Sequence, residues 1–367
     1  MAGCVLIAGG GTGGHLFPGV AVAGELKALR PGLKVVFVSA GRALESRILR
    51  RAGLPLEAVP VRPLRGRSWS ARLAAVSTLP RALIAARRLL RRHRPGLVLA
   101  VGGYAAFPLG VAAWLAGVPL AVQEQNAVPG LTNRLLARLA RVVFIAFAAA
   151  REHLPAGKAV LTGNPVRPEL VAAARRAARE RPPAEQEFHL LVLGGSQGAR
   201  SLNRAVCEAL PRLAARRGRL RFTHQTGEAD RQEVRAAYRQ YRMAAEVAAF
   251  FEDMGTLYGR AHLVLCRAGA GTLSELTACG RAAVCVPYPH AAGDHQTLNA
   301  RALVQAGAAR LVPDAELDGP TVAALVCELM DEPRRLAEME DCSRALARPR
   351  AAREIATHCL TLMQEAA

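Results

Sequence analysis

The chain has 367 residues, 51% of them hydrophobic, and a formal charge of +20. That length is too great for one ordinary core and suits two domains. Its eight cysteines include no C-x-x-C pair and no Cys/His cluster, which excludes a zinc module or a disulfide-stapled scaffold. Reduced thiols in a cytosolic protein are expected. No signal peptide is expected either, because the apolar run after Met1 is only Cys4–Ala8 and ends in glycine.

In chain order, strands are expected at Cys4–Ala8, Lys34–Val38 and Leu56–Val59, with helical patterns between them. From Arg62 to Arg94 there are ten arginines (62, 65, 67, 72, 81, 87, 88, 91, 92 and 94) and no acid. Half the net charge therefore lies in one short stretch, which points to an anionic partner. Leu97–Gln123 carries no charge and is long enough to span a bilayer on hydropathy alone. Gly102–Gly103, Pro108 and Pro119 interrupt it, so it reads as a strand (Leu97–Val101), a helix around Leu109–Ala116 and a second strand (Leu120–Gln123). Parallel strands buried on both faces give such continuous apolar runs. No transmembrane helix is expected.

Further strands follow at Val142–Ala146 and Ala159–Leu161. A helical, Arg/Ala-rich segment, Pro168–Arg181, then separates the halves, with the boundary near Asn164–Pro168. The rhythm restarts with strands at His189–Leu193, Arg219–His224, Glu246–Phe250, Leu263–Cys266, Ala283–Pro287 and Ala309–Val312. The tail, Pro333–Ala367, reads as helices broken at Pro349. Alternating strands and helices predict parallel sheets covered by helices on both faces.

Each half opens as strand, glycine loop, helix: Ala8-Gly-Gly-Gly-Thr-Gly-Gly-His15 and Gly194-Gly-Ser-Gln-Gly-Ala-Arg200. Helix N-termini at such loops present free N–H groups and a positive dipole end to anions. Gly9, Gly11 and Gly14 satisfy G-x-G-x-x-G, but a dinucleotide site also wants an acid at the end of the second strand. Here that strand ends Val38-Ser39-Ala40-Gly41, and the first acid is Glu45. A Walker loop fails too, because His15 stands where lysine should follow the glycines. Pro18 suits the first turn of the next helix.

Four more clusters fall at strand ends or at the junction of the halves: Gly102-Gly103-Tyr104, Gln123-Glu124-Gln125-Asn126, Asn164-Pro165-Val166-Arg167, and Arg267-Ala-Gly-Ala-Gly-Thr-Leu-Ser-Glu275. Asp294-His-Gln296-x-x-Asn299 follows a later strand. Together with Gly-Gly-Thr-Gly-Gly-His and Gly-Gly-Ser-Gln-Gly-Ala, this ordered set resembles the MurG family. Those are UDP-N-acetylglucosamine: N-acetylmuramyl-(pentapeptide) pyrophosphoryl-undecaprenol N-acetylglucosamine transferases of bacterial peptidoglycan synthesis. The resemblance runs from Gly9 to about Asn299 and into the helical tail.

It implies an α/β protein of GT-B architecture, with two Rossmann-like domains whose parallel sheets face a cleft. Residues 1–165 would be the acceptor and membrane domain, 166–345 the UDP-sugar domain, and 346–367 a C-terminal helix returning to the first domain. The implied activity moves N-acetylglucosamine from UDP-GlcNAc to an undecaprenyl-diphosphate-linked acceptor. A UDP-sugar epimerase uses the same two-domain fold and is the alternative enzyme class. A non-enzymatic anion- or lipid-binding module would have no need of Glu275.

Glu275 reads either as an acid favoured by a helix dipole or, by the resemblance, as the acceptor for both ribose hydroxyls of UDP. Backbone N–H groups of Ala270, Gly271, Thr272, Leu273 and Ser274 would cradle the diphosphate, as would Thr12, Gly13 and Gly14 at the first loop. Ser196 reads as a helix cap or a phosphate donor, and Arg167 as a diphosphate contact. Phe251 would offer its backbone to the uracil edge, Gln296 would bond sugar hydroxyls, and Asn126 the N-acetyl side. His15 is the candidate general base, or else it orients a phosphate. Glu124 is the alternative base, and Tyr104 an acceptor-side candidate. No Asp-x-Asp occurs, so no metal or other cofactor is expected; helix N-termini and Arg167 would stabilise the leaving UDP.

Leu73, Val76, Leu79, Leu83 and Ile84 interleave with the arginines, as in an amphipathic helix lying on anionic lipid, or one packing its apolar stripe on a sheet. A peripheral protein at the cytoplasmic membrane face fits the lipid acceptor. A nucleic-acid partner is disfavoured, since the stretch holds one aromatic, Trp69, for stacking. Two departures from the family pattern stand out. Ala268 replaces an expected serine, and Ala291-Ala-Gly293 lacks an expected acid before Asp294.

Overall fold

The computed structural model describes residues 3–10, 13–61, 78–195 and 197–365. Thr12, Ser196, Trp69, Leu73, Val76 and the arginines from Arg62 to Arg72 lie outside them. Contacts divide the chain into two compact units, one of Met1–Arg167 with Arg348–Ala367 and one of Pro168–Ala347.

The first unit runs β1 (Cys4–Ala8), α1 (Gly13–Leu29), β2 (Lys34–Ser39), α2 (Ala43–Arg51), β3 (Leu56–Ala58), α3 (Leu79–His93), β4 (Leu97–Ala100), α4 (Ala106–Leu115), β5 (Leu120–Glu124), α5 (Leu131–Leu139), β6 (Val142–Ile145) and β7 (Ala159–Leu161). Its sheet is parallel, in the order β3-β2-β1-β4-β5-β6-β7. Strand side chains alternate between two cores. Leu6, Val36, Val98 and Val122 pack under α3, α4 and α5 through Ala82, Leu89, Leu109 and Leu136. Val5, Ile7, Phe37 and Leu99 pack under α1 and α2 through Leu16, Leu26 and Leu49. Each such Leu or Ile contributes about 1.5–3 kcal/mol on burial.

The charge-free stretch Leu97–Gln123 resolves into β4, α4 and most of β5. Among the described residues no helix is long and apolar enough to cross a membrane. Pro18 does not open its helix. α1 starts at Gly13, directly out of the glycine loop, so Pro18 falls in the second turn and leaves the Gly14 carbonyl without an N–H partner there.

The final helix, α14 (Ala351–Glu365), packs on α1 in the first unit. Its stripe Ala352, Ile355, Ala356, Cys359 and Met363 follows helical spacing and joins the core beside Ile7. Met363 packs against Gly96, where a Cβ would lie 2.9 Å from its Cε.

The second unit contains α6 (Pro168–Arg179), β8 (Phe188–Leu193), α7 (Arg200–Leu213), β9 (Leu220–Gln225), α8 (Arg231–Gln240), β10 (Ala244–Ala248), α9 (Met254–Arg260), β11 (Leu263–Cys266), α10 (Ala270–Cys279), β12 (Ala282–Cys285), α11 (His295–Gln305), β13 (Ala309–Leu311), α12 (Gly319–Asp331) and α13 (Pro333–Ala345). Its parallel sheet has the order β10-β9-β8-β11-β12-β13. β10 begins and ends two residues before the expected Glu246–Phe250. Pairing of Ala244–Ala248 with Arg221–Gln225 sets its register, not the apolar run that follows it.

Candidate active site

In both sheets the strand order reverses beside the first strand of the unit, between β1 and β4 and between β8 and β11. The loops leaving such a pair diverge and open a crevice at the strand ends. In the first unit they meet backbone to backbone. A Cβ at Gly9 would strike Val101 Cγ2, and one at Gly103 (φ +85) would strike the Gly10 carbonyl. Glu45 does not serve a ribose. It is buried, accepts the Ser39 hydroxyl at 2.8 Å and the Arg42 N–H at 2.9 Å, and lies against Gly10.

The end of β5 carries a buried polar network. Glu124 is 1% exposed and accepts four donors: Asn126 N–H at 2.9 Å, Asn126 Nδ2 at 3.2 Å, Gly130 N–H at 3.0 Å and Asn133 Nδ2 at 2.9 Å. That set makes Glu124, expected as an alternative base, an anchor of the 126–130 loop, with both its oxygens accepting hydrogen bonds. Gln123 donates to Asn164 Oδ1 at 3.2 Å, tying this strand to the Asn-Pro-Val-Arg turn. His15, half-buried on α1, shares a hydrogen bond with Gln125 Oε1 from Nδ1 at 2.9 Å. Its ring rests on Gly102 (φ +98), where a Cβ would lie 2.8 Å from Nδ1. Tyr104 is half-buried just beyond, after Gly103. Arg167 stacks its guanidinium 4.5 Å from the Phe17 ring centroid on α1, and its buried Nε has no hydrogen-bond partner among the described residues.

In the second unit the glycine loop is equally tight. A Cβ at Gly194 would lie 2.6 Å from the Ala199 nitrogen, and one at Gly198 (φ +79) would strike the Thr226 carbonyl. Asn203 Nδ2 holds that carbonyl at 2.9 Å and Asp230 Oδ2 at 2.8 Å. Its Oδ1 therefore accepts from His224 Nε2 at 3.0 Å, and His224 Nδ1 accepts from the Tyr238 hydroxyl at 3.1 Å. Burial pushes the His224 pKa down to about 3, so this prop is a neutral imidazole. Gln225 accepts the Phe251 N–H at 3.1 Å and donates to the Gly195 carbonyl at 2.9 Å. The Phe251 N–H is thereby engaged, and its carbonyl is the group it can offer a uracil.

α10 starts after Gly269, and its ladder begins with the Leu273 N–H donating to the Gly269 carbonyl at 3.0 Å. Ala270, Gly271 and Thr272 precede the ladder, whereas the Leu273 N–H is inside it. The Ser274 hydroxyl bonds back to the Ala270 carbonyl at 2.8 Å. Glu275 lies one turn on, and its Oε2 accepts the Tyr258 hydroxyl at 3.0 Å. Tyr258 is almost fully buried on α9. α9 approaches α6 closely through Gly255 and Gly259: a Cβ at Gly255 would lie 2.6 Å from the Leu170 carbonyl, and one at Gly259 would strike that of Ala174.

Arg267 braces the same loop. It donates to Asp314 Oδ1 at 2.6 Å, Ser201 Oγ at 2.7 Å and the Pro287 carbonyl at 3.2 Å. Gln296 Oε1 accepts the Tyr288 N–H at 2.9 Å, in the segment that follows β12. Asn299 is buried and donates to the Ala268 carbonyl at 3.3 Å.

Two parallel α/β units, each with a glycine loop and a helix N-terminus at its switch point, define a glycosyltransferase-type GT-B protein. Residues 5–145 match the glycosyltransferase family 28 N-terminal domain, and residues 189–355 its C-terminal domain. The chain is 48% identical over 359 residues to the UDP-N-acetylglucosamine--N-acetylmuramyl-(pentapeptide) pyrophosphoryl-undecaprenol N-acetylglucosamine transferase of Myxococcus xanthus, covering 98% of this chain and 93% of that protein. It is 44% identical to the enzyme of the same name from Anaeromyxobacter dehalogenans, over 98% and 93% of the two chains. The crystal structure of Acinetobacter baumannii MurG superposes with a TM-score of 0.78 at 32% identity, over 98% of this chain and 99% of that one. The chain belongs to the MurG family. A UDP-GlcNAc 2-epimerase from Neisseria meningitidis shares the fold, with a TM-score of 0.70 at 14% identity over 98% and 100% of the chains.

Gln125, Tyr258, Gln225 and Arg267 received no role from the sequence. Gln125 and Arg267 stood inside motifs already marked. Tyr258 and Gln225 carried no local signal.

Proposed function

We propose that the chain is an inverting transferase moving N-acetylglucosamine from UDP-GlcNAc to the N-acetylmuramyl unit of an undecaprenyl-diphosphate-linked acceptor. The observation that carries this reading is the pairing, on α10, of an open amide end with a carboxylate one turn further, held by Tyr258. Free N–H groups suit a diphosphate, and an oriented carboxylate suits vicinal ribose hydroxyls. Phe251 and Gln296 complete the donor side of the second unit; on the first unit, Asn126 and Arg167 carry groups suited to an N-acetyl group and to a phosphate.

In the reaction the acceptor hydroxyl oxygen bonds to the sugar C1 from the face opposite UDP. The C1–O bond to the β-phosphate breaks, its electron pair leaves with UDP, and His15 Nε2 takes the hydroxyl proton. Amide dipoles at the helix ends stabilise the charge growing on the leaving diphosphate. The reaction is proposed to need no metal; loss of all turnover in excess chelator counts against that part. Among the described residues no three His, Cys, Asp or Glu side chains group together as a metal site.

The proposed peripheral attachment to the cytoplasmic membrane face rests on the acceptor and on exposed side chains of two neighbouring helices. On α3, Arg81, Arg87, Arg88 and Arg91 are exposed, and so is Ile84. Trp114 and Leu115, at the end of neighbouring α4, are 51% and 61% exposed. Exposed arginines together with bare aromatic and aliphatic side chains suit an anionic lipid surface. Binding to anionic vesicles should weaken in salt; equal binding to neutral vesicles argues against the surface.

Purified protein with UDP-GlcNAc and the monosaccharyl lipid in detergent should yield a lipid-linked disaccharide. Epimerised UDP-sugar without acceptor would instead favour the epimerase.

A further inference from the structure

We propose that Gln125 is a positioning residue that selects the tautomer of His15, holding its proton on Nδ1 and leaving Nε2 as the proton acceptor. The inference rests on His15 being the base of the proposed transfer.

The argument starts from the amide. A glutamine side chain presents one face that only donates and one that only accepts. Around Gln125 Nε2 lie three acceptors: the Val101 carbonyl at 2.8 Å, the Gln123 carbonyl at 3.2 Å, and Gln123 Oε1 in close contact. Two of them are backbone carbonyls, which can never donate. The NH2 group must therefore face them, and Oε1 must face His15. An oxygen that only accepts requires a donor, so the Nδ1 contact at 2.9 Å carries the imidazole proton on Nδ1.

Gln125 is itself rigid. It is 2% exposed, and its partner Gln123 is fully buried and pinned by Asn164. The ring lies close to Gly102, where a Cβ would come within 2.8 Å of Nδ1. Nε2 makes no hydrogen bond to any described residue. The result is a relay of carbonyl, amide and imidazole, in which a neutral amide does the orienting that a carboxylate does elsewhere.

The test uses the full-length protein with 15N-labelled histidine, the His15 signals being assigned by their loss in His15→Gln. At alkaline pH the wild-type ring should show a protonated Nδ1 and a bare Nε2. Gln125→Met should shift the ring toward the Nε2–H form and lower kcat at least tenfold, with KM for UDP-GlcNAc nearly unchanged. Gln125→Glu, which keeps an acceptor, should retain the Nδ1–H form. A wild-type His15 carrying its proton on Nε2 overturns the proposal, whatever the variants do. So does a tautomer that is the same in Gln125→Met. If the tautomer follows Gln125 but His15→Gln transfers sugar at the wild-type rate, the tautomer selection stands and the base reading falls.

Discussion

The Tyr258 hydroxyl lies 3.0 Å from Glu275 Oε2, and this one bond joins the α9 helix to the carboxylate proposed to hold the ribose. Tyr258 is raised well above the usual tyrosine range, first by burial and then by the Glu275 charge, so it is a fixed donor. A hydrogen bond to a charged group contributes about 1.5–3 kcal/mol. Tyr258→Phe should therefore raise KM for UDP-GlcNAc by roughly tenfold or more while leaving the fold intact. Glu275→Ala should cost more, and should also erase the preference for UDP over an analogue lacking both ribose hydroxyls. Calorimetric titration with the two nucleotides measures this; unchanged discrimination rules out the ribose role.

Gly102→Ala places a methyl 2.8 Å from His15 Nδ1 on a backbone at φ +98. The imidazole must move, and proton transfer depends on its position. Turnover should drop at least tenfold. UDP affinity, proposed to rest mainly on the second unit, should stay within about twofold, well under the ~1.4 kcal/mol of a tenfold change. A parallel fall in UDP binding points to general unfolding instead.

Glu340 is the centre of a buried charge cluster. Its oxygens accept from Arg181 at 2.6 and 3.1 Å and from Arg281 at 3.0 Å, and both guanidiniums also bond the Ala261 carbonyl. Arg281 is 5% exposed, and burial pulls its pKa down to about 10. Glu340→Gln strands two cations in the interior, which costs about 3–5 kcal/mol. Urea denaturation should show that loss in the second unit; a change under about 1 kcal/mol, the range of exposed pairs, means the cluster is effectively solvated.

Acid should loosen the second unit before any carboxylate titrates. His224 is buried with a pKa near 3, and His262, lowered to about 4 by burial and then by Arg181, lies in the same unit just before β11. In the unfolded chain both return to about 6.5. Between these limits the unfolded chain binds protons that the folded one does not. Stability is therefore full above about pH 6.5 and declines as pH falls. His224 alone accounts for about 2 kcal/mol by about pH 5. Denaturation midpoints across that range should slope accordingly, and more shallowly in His224→Gln. An identical slope in the variant removes His224 as the cause.

Much of this protein was legible in the sequence, for a local reason. The strand rhythm, the two opening glycine loops, the parsing of Leu97–Gln123 and the α10 cluster depend on alternation, breakers and backbone torsions, which short segments carry themselves. Gly102 and Gly198 had to be glycine because their φ angles and close neighbours allow nothing larger. What only the tertiary structure decided are pairings between residues far apart. Gln125 meets His15 across 110 positions, and Arg181 meets Glu340 across 159. Gln225 reaches Phe251, and Tyr258 reaches Glu275, from separate elements. The same holds for Glu124, whose four donors converge only once β5 and α5 are in place. A side chain's type states what it can donate or accept. Whether a carboxylate becomes a loop anchor, or an imidazole keeps a bare nitrogen, is set by the partners that packing brings within hydrogen-bond reach.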